Sequence, residues 1–267
     1  MSGALSITRR GAVMFGLPVV LIAAWWIASA GSESFYFPPL ATILQTFVTL
    51  WLSPQAIPNV VPSLLRFAVG FFAAAVLGIA IGIPVGASRN LRATIEPVLE
   101  FLRAIPPPVL IPVLILFAGI GDEMKILVIV FGCIWPVLLN TVAGVRALDE
   151  VLEDVVRCYR IGPMARLWHF VLPGASPQIF TGLRQSLSLG VILMVVSEMF
   201  AASNGIGFAL VQYQRTFAIP EMWSGIILLG LIGIALSLIF RAVEAWLRTS
   251  GNAPGAVAAP MGKYEQT

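Results

Sequence analysis

Apolar runs long enough to cross a bilayer dominate the pattern of hydrophobic and polar positions in this chain. A helix rises about 1.5 Å per residue, so about 20 apolar residues are needed to cross roughly 30 Å of hydrocarbon. We predict transmembrane helices at Gly11–Ala30, Ser63–Ala87, Thr94–Ala118, Ile126–Val145, Ser176–Ala202 and Met222–Phe240. The pattern therefore predicts an all-α integral membrane protein with about six transmembrane helices.

The third of these runs is the least regular, because prolines interrupt its backbone hydrogen bonds. They are Pro97, Pro106, Pro107, Pro108 and Pro112. A helix broken in this way survives at membrane depth only when it packs within protein or lines a wet cavity. We therefore expect this run to be the pathway helix, with Arg103, Pro106, Pro107 and Pro108 as its candidate residues.

Three further segments complete the organisation of the chain. Ala28–Ala30 resembles a signal-peptidase site, but the apolar run before it is longer than a signal-peptide core, so we expect the first span to be retained. Leu40–Trp51 has apolar residues at helical spacing and is too short to span, which fits an interfacial helix or a packed loop helix equally well. Residues 249–267 are predicted to form a disordered tail after a single transmembrane domain, residues 1–248.

Composition supports the membrane interpretation. Hydrophobic residues make up 58% of the chain and charged residues only 11%, with a mean hydropathy of +0.93. Soluble domains carry about 25% charged residues, so this chain could not cover a water-facing surface. The basic residues are not clustered, which excludes a nucleic-acid patch. One histidine, His169, and two separated cysteines, Cys133 and Cys158, predict neither a metal site nor a disulfide.

The distribution of basic residues predicts the orientation. With both termini in the cytoplasm, all of the 16 lysines and arginines except Arg66, Lys125 and Arg215 fall on the inner side. Cytoplasmic loops carry an excess of lysine and arginine, so we expect six spans with both ends inside.

The cytoplasmic loop at residues 146–175 carries an amphipathic helix. Its apolar positions recur at helical spacing: Leu148, Val151, Leu152, Val155, Val156 and Tyr159. Acidic residues come first on the other face and basic residues later, which complements the helix dipole. Gly162 and Pro163 then end this helix, and a short second helix is predicted at Met164–Val171. The apolar face must be covered by the protein's own spans or by a partner.

The stretch Asp154–Pro173 resembles the "EAA" signature of binding-protein-dependent ABC permeases. Anchored at Leu172 and Pro173, the acid of the signature falls on Asp154 and its glycine on Arg160. The resemblance implies that this loop docks on the ATPase. It assigns ATPase coupling to Asp154, Arg157, Arg160, Gly162, Pro163, Arg166, Leu172 and Pro173.

The rest of the chain is similar to the nitrate/sulfonate/taurine-type permeases. The motifs that carry this resemblance are Leu99–Pro112, Gly119–Gly121, Thr181–Arg184, Glu198–Ala202 and Gly205–Gly207. It implies a type I ABC importer permease fold in the bacterial plasma (inner) membrane and a small anionic substrate. It also implies three partners: two ATP-binding ABC subunits, an extracytoplasmic solute-binding protein, and a second permease copy in a homodimer or in a pair with a related chain.

Energy from ATP requires a separate subunit. A phosphate-binding loop has the pattern Gly-x-x-x-x-Gly-Lys followed by Ser or Thr. Neither Lys125 nor Lys263 ends such a pattern. We therefore expect a chain that is not an enzyme and holds no cofactor, with ATP and Mg on the partner ATPase.

Two other functions compete with this interpretation. A secondary transporter or channel without an ATPase partner usually needs ionisable residues well inside the bilayer, whereas the charges here lie mostly near span ends. An intramembrane enzyme would need a paired-acid, serine or histidine constellation within the spans, which this sequence does not supply.

Glu198 is the acid deepest in the second half of a span. It lies 25 residues after Pro173, or about 37 Å along a helix, so we place it near the outer surface. Arg66 begins the second span at the same level. We predict that Glu198 and Arg66 form an outer-gate pair, with Arg215 as the alternative partner. The competing interpretation is a carboxylate that simply reaches headgroup water.

Overall fold

The computed structural model describes residues 2–200 and 202–250. Every regular element in these residues is helical, which confirms the all-α prediction. The α-helices of the described residues are α1 (Ser2–Ser29), α2 (Leu40–Trp51), α3 (Ile57–Ala87), α4 (Arg89–Arg103), α5 (Ile111–Ala118), α6 (Asp122–Arg146), α7 (Glu150–Cys158), α8 (Pro163–Arg166), α9 (Leu172–Phe200), α10 (Ile206–Arg215) and α11 (Ile219–Ser250). Short 3₁₀ turns precede α3 and α5, and a π-helical turn, Leu167–Val171, joins α8 to α9.

Four helical stretches in the described residues are long and apolar enough to cross a membrane. They are Pro54–Ala87, Asp122–Arg146, Pro163–Phe200 and Ile219–Leu247. The broken pair α4 and α5 makes a fifth when it is counted as one span. The predicted first span falls on α1, which is not among these five. Six spans therefore stay a prediction.

The predicted third span, Thr94–Ala118, is two helices rather than one. α4 ends at Arg103, and a separate turn at Pro107–Leu110 leads into α5. Three consecutive prolines, Pro106–Pro108, supply no backbone N–H, so the hydrogen-bond ladder of α4 cannot continue through them. The irregularity expected from the prolines is therefore a complete break.

The end of the predicted coupling segment, residues 146–175, also differs from the prediction. The short second helix was predicted to end at Val171, but α9 begins at Leu172 directly after the π-helical turn. Pro173 lies directly after the π-helical turn, inside a helical stretch that runs from Pro163 to Phe200, and the wider turn makes room for a residue without an N–H. At the other end of the chain, α11 extends to Ser250, and the rest of the predicted tail, 251–267, lies outside the described residues.

Contacts divide the chain into two compact units. The first unit combines the residues up to Gly70 with Pro106–Ile129 and Gly190–Gly233. In it, α2 packs through Trp51, whose indole nitrogen donates to the Ser224 hydroxyl at 2.9 Å. Helix α2 is thus a packed helix that also leaves part of its apolar face, including Val48, exposed.

The second unit combines Phe71–Ile105, Val130–Leu189 and the chain from Ile234 onward. Here α3 and α6 approach closely, because glycines on α3 face branched side chains on α6. A Cβ atom added to Gly82 would lie 2.7 Å from the Cβ of Thr141, and one added to Gly78 would lie 2.8 Å from that of Val137. Small residues permit such backbone approach in membrane helices. This packing holds the end of α6, from which residues 146–175, the predicted coupling segment, continue.

Candidate functional site

The carboxylate of Glu198 is buried in the first unit and is fully supplied with donors. It lies in the last turn of α9 and is 1% exposed. A guanidinium nitrogen of Arg66 donates to it at 2.8 Å, and the Ser63 hydroxyl lies 2.7 and 2.8 Å from its two oxygens. The backbone N–H of Gly207 donates at 3.0 Å. A buried charge is stable only when it is paired and hydrogen-bonded in this way.

The guanidinium of Arg66 connects three further groups and is itself 4% exposed. Its Nε donates to Asp122 at 2.8 Å, and its remaining nitrogens donate to the backbone and side-chain oxygens of Asn204. Lys125 lies 3.8 Å from the Asp122 carboxylate. Arginine suits this position because its planar group presents five donors in a fixed arrangement. We call Ser63, Arg66, Asp122, Glu198 and Asn204 the Arg66 cluster.

Ser63 of this cluster and the neighbouring Asn59 accept hydrogen bonds from the loop that leads into α10. The N–H of Gly205 donates to the Asn59 side chain at 3.1 Å, and the N–H of Ile206 donates to the Ser63 hydroxyl at 2.9 Å. Gly205 has a φ of 122°, and a Cβ there would lie 2.5 Å from the Glu198 carboxyl carbon. This position therefore requires glycine, which gives the first glycine of the Gly205–Gly207 motif a structural role.

Of the predicted gate residues, the structure brings Arg66 and Glu198 together. Arg215 ends α10, is exposed, and forms no hydrogen bond or ion pair with Glu198 in the described part of the chain. The interpretation in which the carboxylate reaches water does not fit its burial. Sequence reasoning missed Ser63, Asp122 and Asn204. A signal existed for Asp122, an acid at the start of a span close to the predicted outer level of Arg66.

The coupling segment, residues 146–175, begins with a well-capped helix. The Asp149 side chain accepts hydrogen bonds from the N–H groups of Val151 and Leu152, which stabilises the start of α7. Glu153 then accepts from Arg157 at 2.9 Å and from Arg166 at 2.7 Å. The second of these bonds holds α8 against α7, so Glu153 sets the angle between the two short helices.

Arg160 occupies a left-handed position immediately after α7, with a φ of 49°. This conformation costs about 1 kcal/mol for a residue other than glycine. The "EAA" resemblance predicts a glycine at this position, and glycine would adopt this conformation without that cost. Gly162 has a φ of −59° and open space around it, so nothing in the structure requires glycine there.

The apolar face of α7 is largely uncovered by the protein's own helices. Val156 is buried, whereas Val151, Leu152 and Tyr159 are 72%, 54% and 79% exposed. Met164 and Trp168, which follow in the coupling segment, are 65% and 61% exposed. Contiguous exposed apolar residues of this kind mark an interaction surface. Asp154 is also exposed, with its carboxylate 4.0 Å from Arg157.

The remaining predicted residues lie apart from these two sites. Arg103 ends α4 and pairs with Glu100 on the same helix. The candidate prolines of the pathway helix form the break between α4 and α5. Within the described residues there is no group of three His, Cys, Asp or Glu side chains that could hold a metal ion, and Cys133 and Cys158 are both free.

Comparison with known proteins shows which family, relatives and solved structures this chain resembles. Residues 74–250 match the family model described as binding-protein-dependent transport system inner membrane component. The chain is 30% identical to the taurine transport system permease protein of Escherichia coli over 246 residues, 89% of each chain. It is 31% identical to the nitrate import permease protein of a Synechocystis species, over 85% of each chain. A structure of the MetNI methionine ABC transporter matches with a TM-score of 0.63 at 19% identity, covering 70% of this chain and 94% of that one.

Proposed function

Since the chain belongs to the family of inner membrane components of binding-protein-dependent transport systems, we propose that it conducts a small anion through an ATP-driven importer. The family resemblance and the type I importer fold expected from the sequence are both confirmed. The chain is an ABC transporter permease subunit, and its substrate is of the sulfonate, taurine or nitrate class. The transport systems named for its relatives, with about 30% identity over most of the chain, support this substrate class.

The exposed face of the coupling segment is the observation that carries this proposal. It presents apolar side chains where the "EAA" resemblance predicts contact with the ATPase. We assign the contact to Asp154, Arg157, Arg160, Gly162, Pro163, Arg166, Leu172 and Pro173, together with the exposed apolar residues beside them. ATP and Mg act on the partner subunit, and this chain contributes the docking surface and the path.

The complete transporter contains two copies of this chain, or one copy and a related chain. Two ATP-binding subunits dock on the two coupling segments, and an extracytoplasmic binding protein delivers the solute. This assembly gives each coupling segment one partner that buries its apolar face, which accounts for the exposure of that face in the isolated chain.

The Arg66 cluster is the proposed outer gate. It joins the start of α3, the start of α6, the end of α9 and the loop before α10 through charged hydrogen bonds. A partly separated cluster is unstable, because movement of one helix away from the others would leave buried charges unpaired. A two-state contact of this kind suits a path that must be closed in one state and open in the other.

Uptake into proteoliposomes tests the proposed function. We expect vesicles with this chain, its ATP-binding subunit and its binding protein to accumulate labelled taurine, a related sulfonate or nitrate only when ATP is supplied to the ATPase side. Vesicles with this chain alone should show no uptake under a proton gradient. Gradient-driven uptake by the chain alone would support the secondary-transporter alternative and refute the proposal.

Cysteine labelling tests the proposed orientation, with six spans and both termini in the cytoplasm. After replacement of Cys133 and Cys158 by alanine, Ser34→Cys should react with an impermeant maleimide from outside and Ala147→Cys only from inside. Both positions are exposed, whereas Gly205 is unsuitable because a Cβ there would strike Glu198. Labelling of Ala147→Cys from outside in intact cells would reverse the assignment.

A further inference from the structure

A cavity of about 480 Å³ in the second unit is lined by four arginines. Arg89 and Arg92 come from the first turn of α4, Arg146 ends α6, and Arg166 belongs to the coupling segment. Buried apolar residues, among them Val145, complete the lining. The cavity thus lies where the α3 and α6 spans end, beside the coupling segment.

The charges that line the cavity are unbalanced. Besides the four arginines, the lining includes two acids, Glu150 and Glu153. Glu153 already accepts hydrogen bonds from Arg157 and Arg166. Arg89, Arg92 and Arg146 form no ion pair among the residues that the structure describes. Like charges that line one cavity repel each other, and a bound anion would relieve this repulsion.

The guanidinium of Arg166, which lines this cavity, is incompletely hydrogen-bonded. Its Nε is buried and has no hydrogen-bond partner within the described chain, and its Nη2 donates to Glu153 at 2.7 Å. Buried donors of a charged group are costly when they are unsatisfied. The cavity is also within the size range of small-molecule sites.

We propose that this cavity binds a phosphate-type oxyanion, either free in solution or carried by the headgroup of an anionic lipid. Arginine suits such a ligand because its donors match the oxygens of phosphate in pairs. The N-terminus of α4, a helix of 15 residues, adds a favourable dipole. Basic pockets between membrane helices bind anionic headgroups in the same way. The bound anion joins Arg166 of the coupling segment to Arg89 and Arg92 of α4, and so restrains the segment.

Thermal unfolding of the full-length, delipidated chain in detergent tests this site with two probes. One probe is inorganic phosphate, compared with chloride at equal ionic strength. The other is reconstitution into nanodiscs that contain phosphatidylglycerol, compared with phosphatidylcholine alone. A ligand at about 100 times its dissociation constant should raise the Tm by about 5 °C. The double variant Arg89→Gln and Arg92→Gln should lose this rise, and the matched control Arg241→Gln, an exposed arginine outside the cavity, should keep it.

The outcomes separate the two sources of the anion. Stabilisation by phosphate that is lost in the double variant supports a site for a free oxyanion, and stabilisation by phosphatidylglycerol alone supports a lipid headgroup site. Arg146→Gln serves as a second test when the double variant fails to elute as a folded species. An equal response to chloride and phosphate together with no effect of phosphatidylglycerol overturns the proposal, as does equal loss in Arg241→Gln. The proposal does not depend on ATPase docking, because the isolated chain is measured.

Discussion

Replacement of Glu198 by alanine is expected to lower the free energy of unfolding by about 3–5 kcal/mol, the typical cost of breaking a buried ion pair. The substitution leaves the Arg66 guanidinium buried with one carboxylate partner, Asp122, whose side chain is 59% exposed. It also removes the acceptor for the Gly207 N–H and leaves the Ser63 hydroxyl with the Asn59 carbonyl oxygen as its acceptor. Thermal unfolding of the purified chain measures this loss.

Glu198→Gln is the matched control, because it keeps the shape and one acceptor oxygen but removes the charge. It should cost less than Glu198→Ala, about 1–2 kcal/mol. In a double-mutant cycle with Arg66→Ala, the pair should show a coupling energy of about 1 kcal/mol or more. A coupling energy of zero would contradict the assigned ion pair.

Transport distinguishes a gate from a structural contact. A merely structural pair lowers the amount of folded transporter but leaves the rate per folded complex unchanged. If the Arg66 cluster is the outer gate, Glu198→Gln should change the rate per complex by about tenfold or more and raise ATP hydrolysis in the absence of the binding protein. If a folded Glu198→Gln complex keeps the wild-type transport rate and the wild-type ATP hydrolysis without the binding protein, the pair is a structural contact and not a gate.

The sequence predicted the central pair of this cluster but not its surroundings. Arg66 and Glu198 could be matched because helix length fixes the depth of each residue in the bilayer, and two opposite charges at one depth favour each other. Asn204 lies in a loop, where no periodicity relates sequence position to place. Its contact with Arg66 depends on the left-handed turn at Gly205, a tertiary feature.

The coupling segment shows the same division between local and tertiary information. The helix α7, its cap at Asp149 and the pair of Glu153 with Arg157 follow from local spacing and were predictable. The bond from Arg166 to Glu153 and the continuity of the segment with α9 were not. Proline and glycine at Pro173 and Gly174 usually indicate a break, but packing of α9 and the π turn before it override that local preference.

The substitution Leu152→Asp is expected to abolish transport by releasing the ATPase from the coupling segment. Leu152 is 54% exposed on the apolar face of α7, so the isolated chain should unfold at nearly the wild-type temperature. In the proposed complex the same side chain is buried against the partner. Placing an unpaired charge in such an interface costs at least about 2 kcal/mol, which corresponds to a roughly 30-fold weaker affinity.

Tyr159→Asp should act in the same way, because Tyr159 is 79% exposed on the same face. Asn90→Asp is the matched control, since it adds the same charge at an exposed position of α4 outside the coupling segment. Co-purification with the ATP-binding subunit and ATP-dependent uptake measure the effect. The two coupling-segment variants should lose both properties and the control should keep them. Should Leu152→Asp and Tyr159→Asp retain the ATPase at wild-type affinity, the apolar face of α7 is not the docking surface, because no interface that buries these side chains could accept both charges without loss.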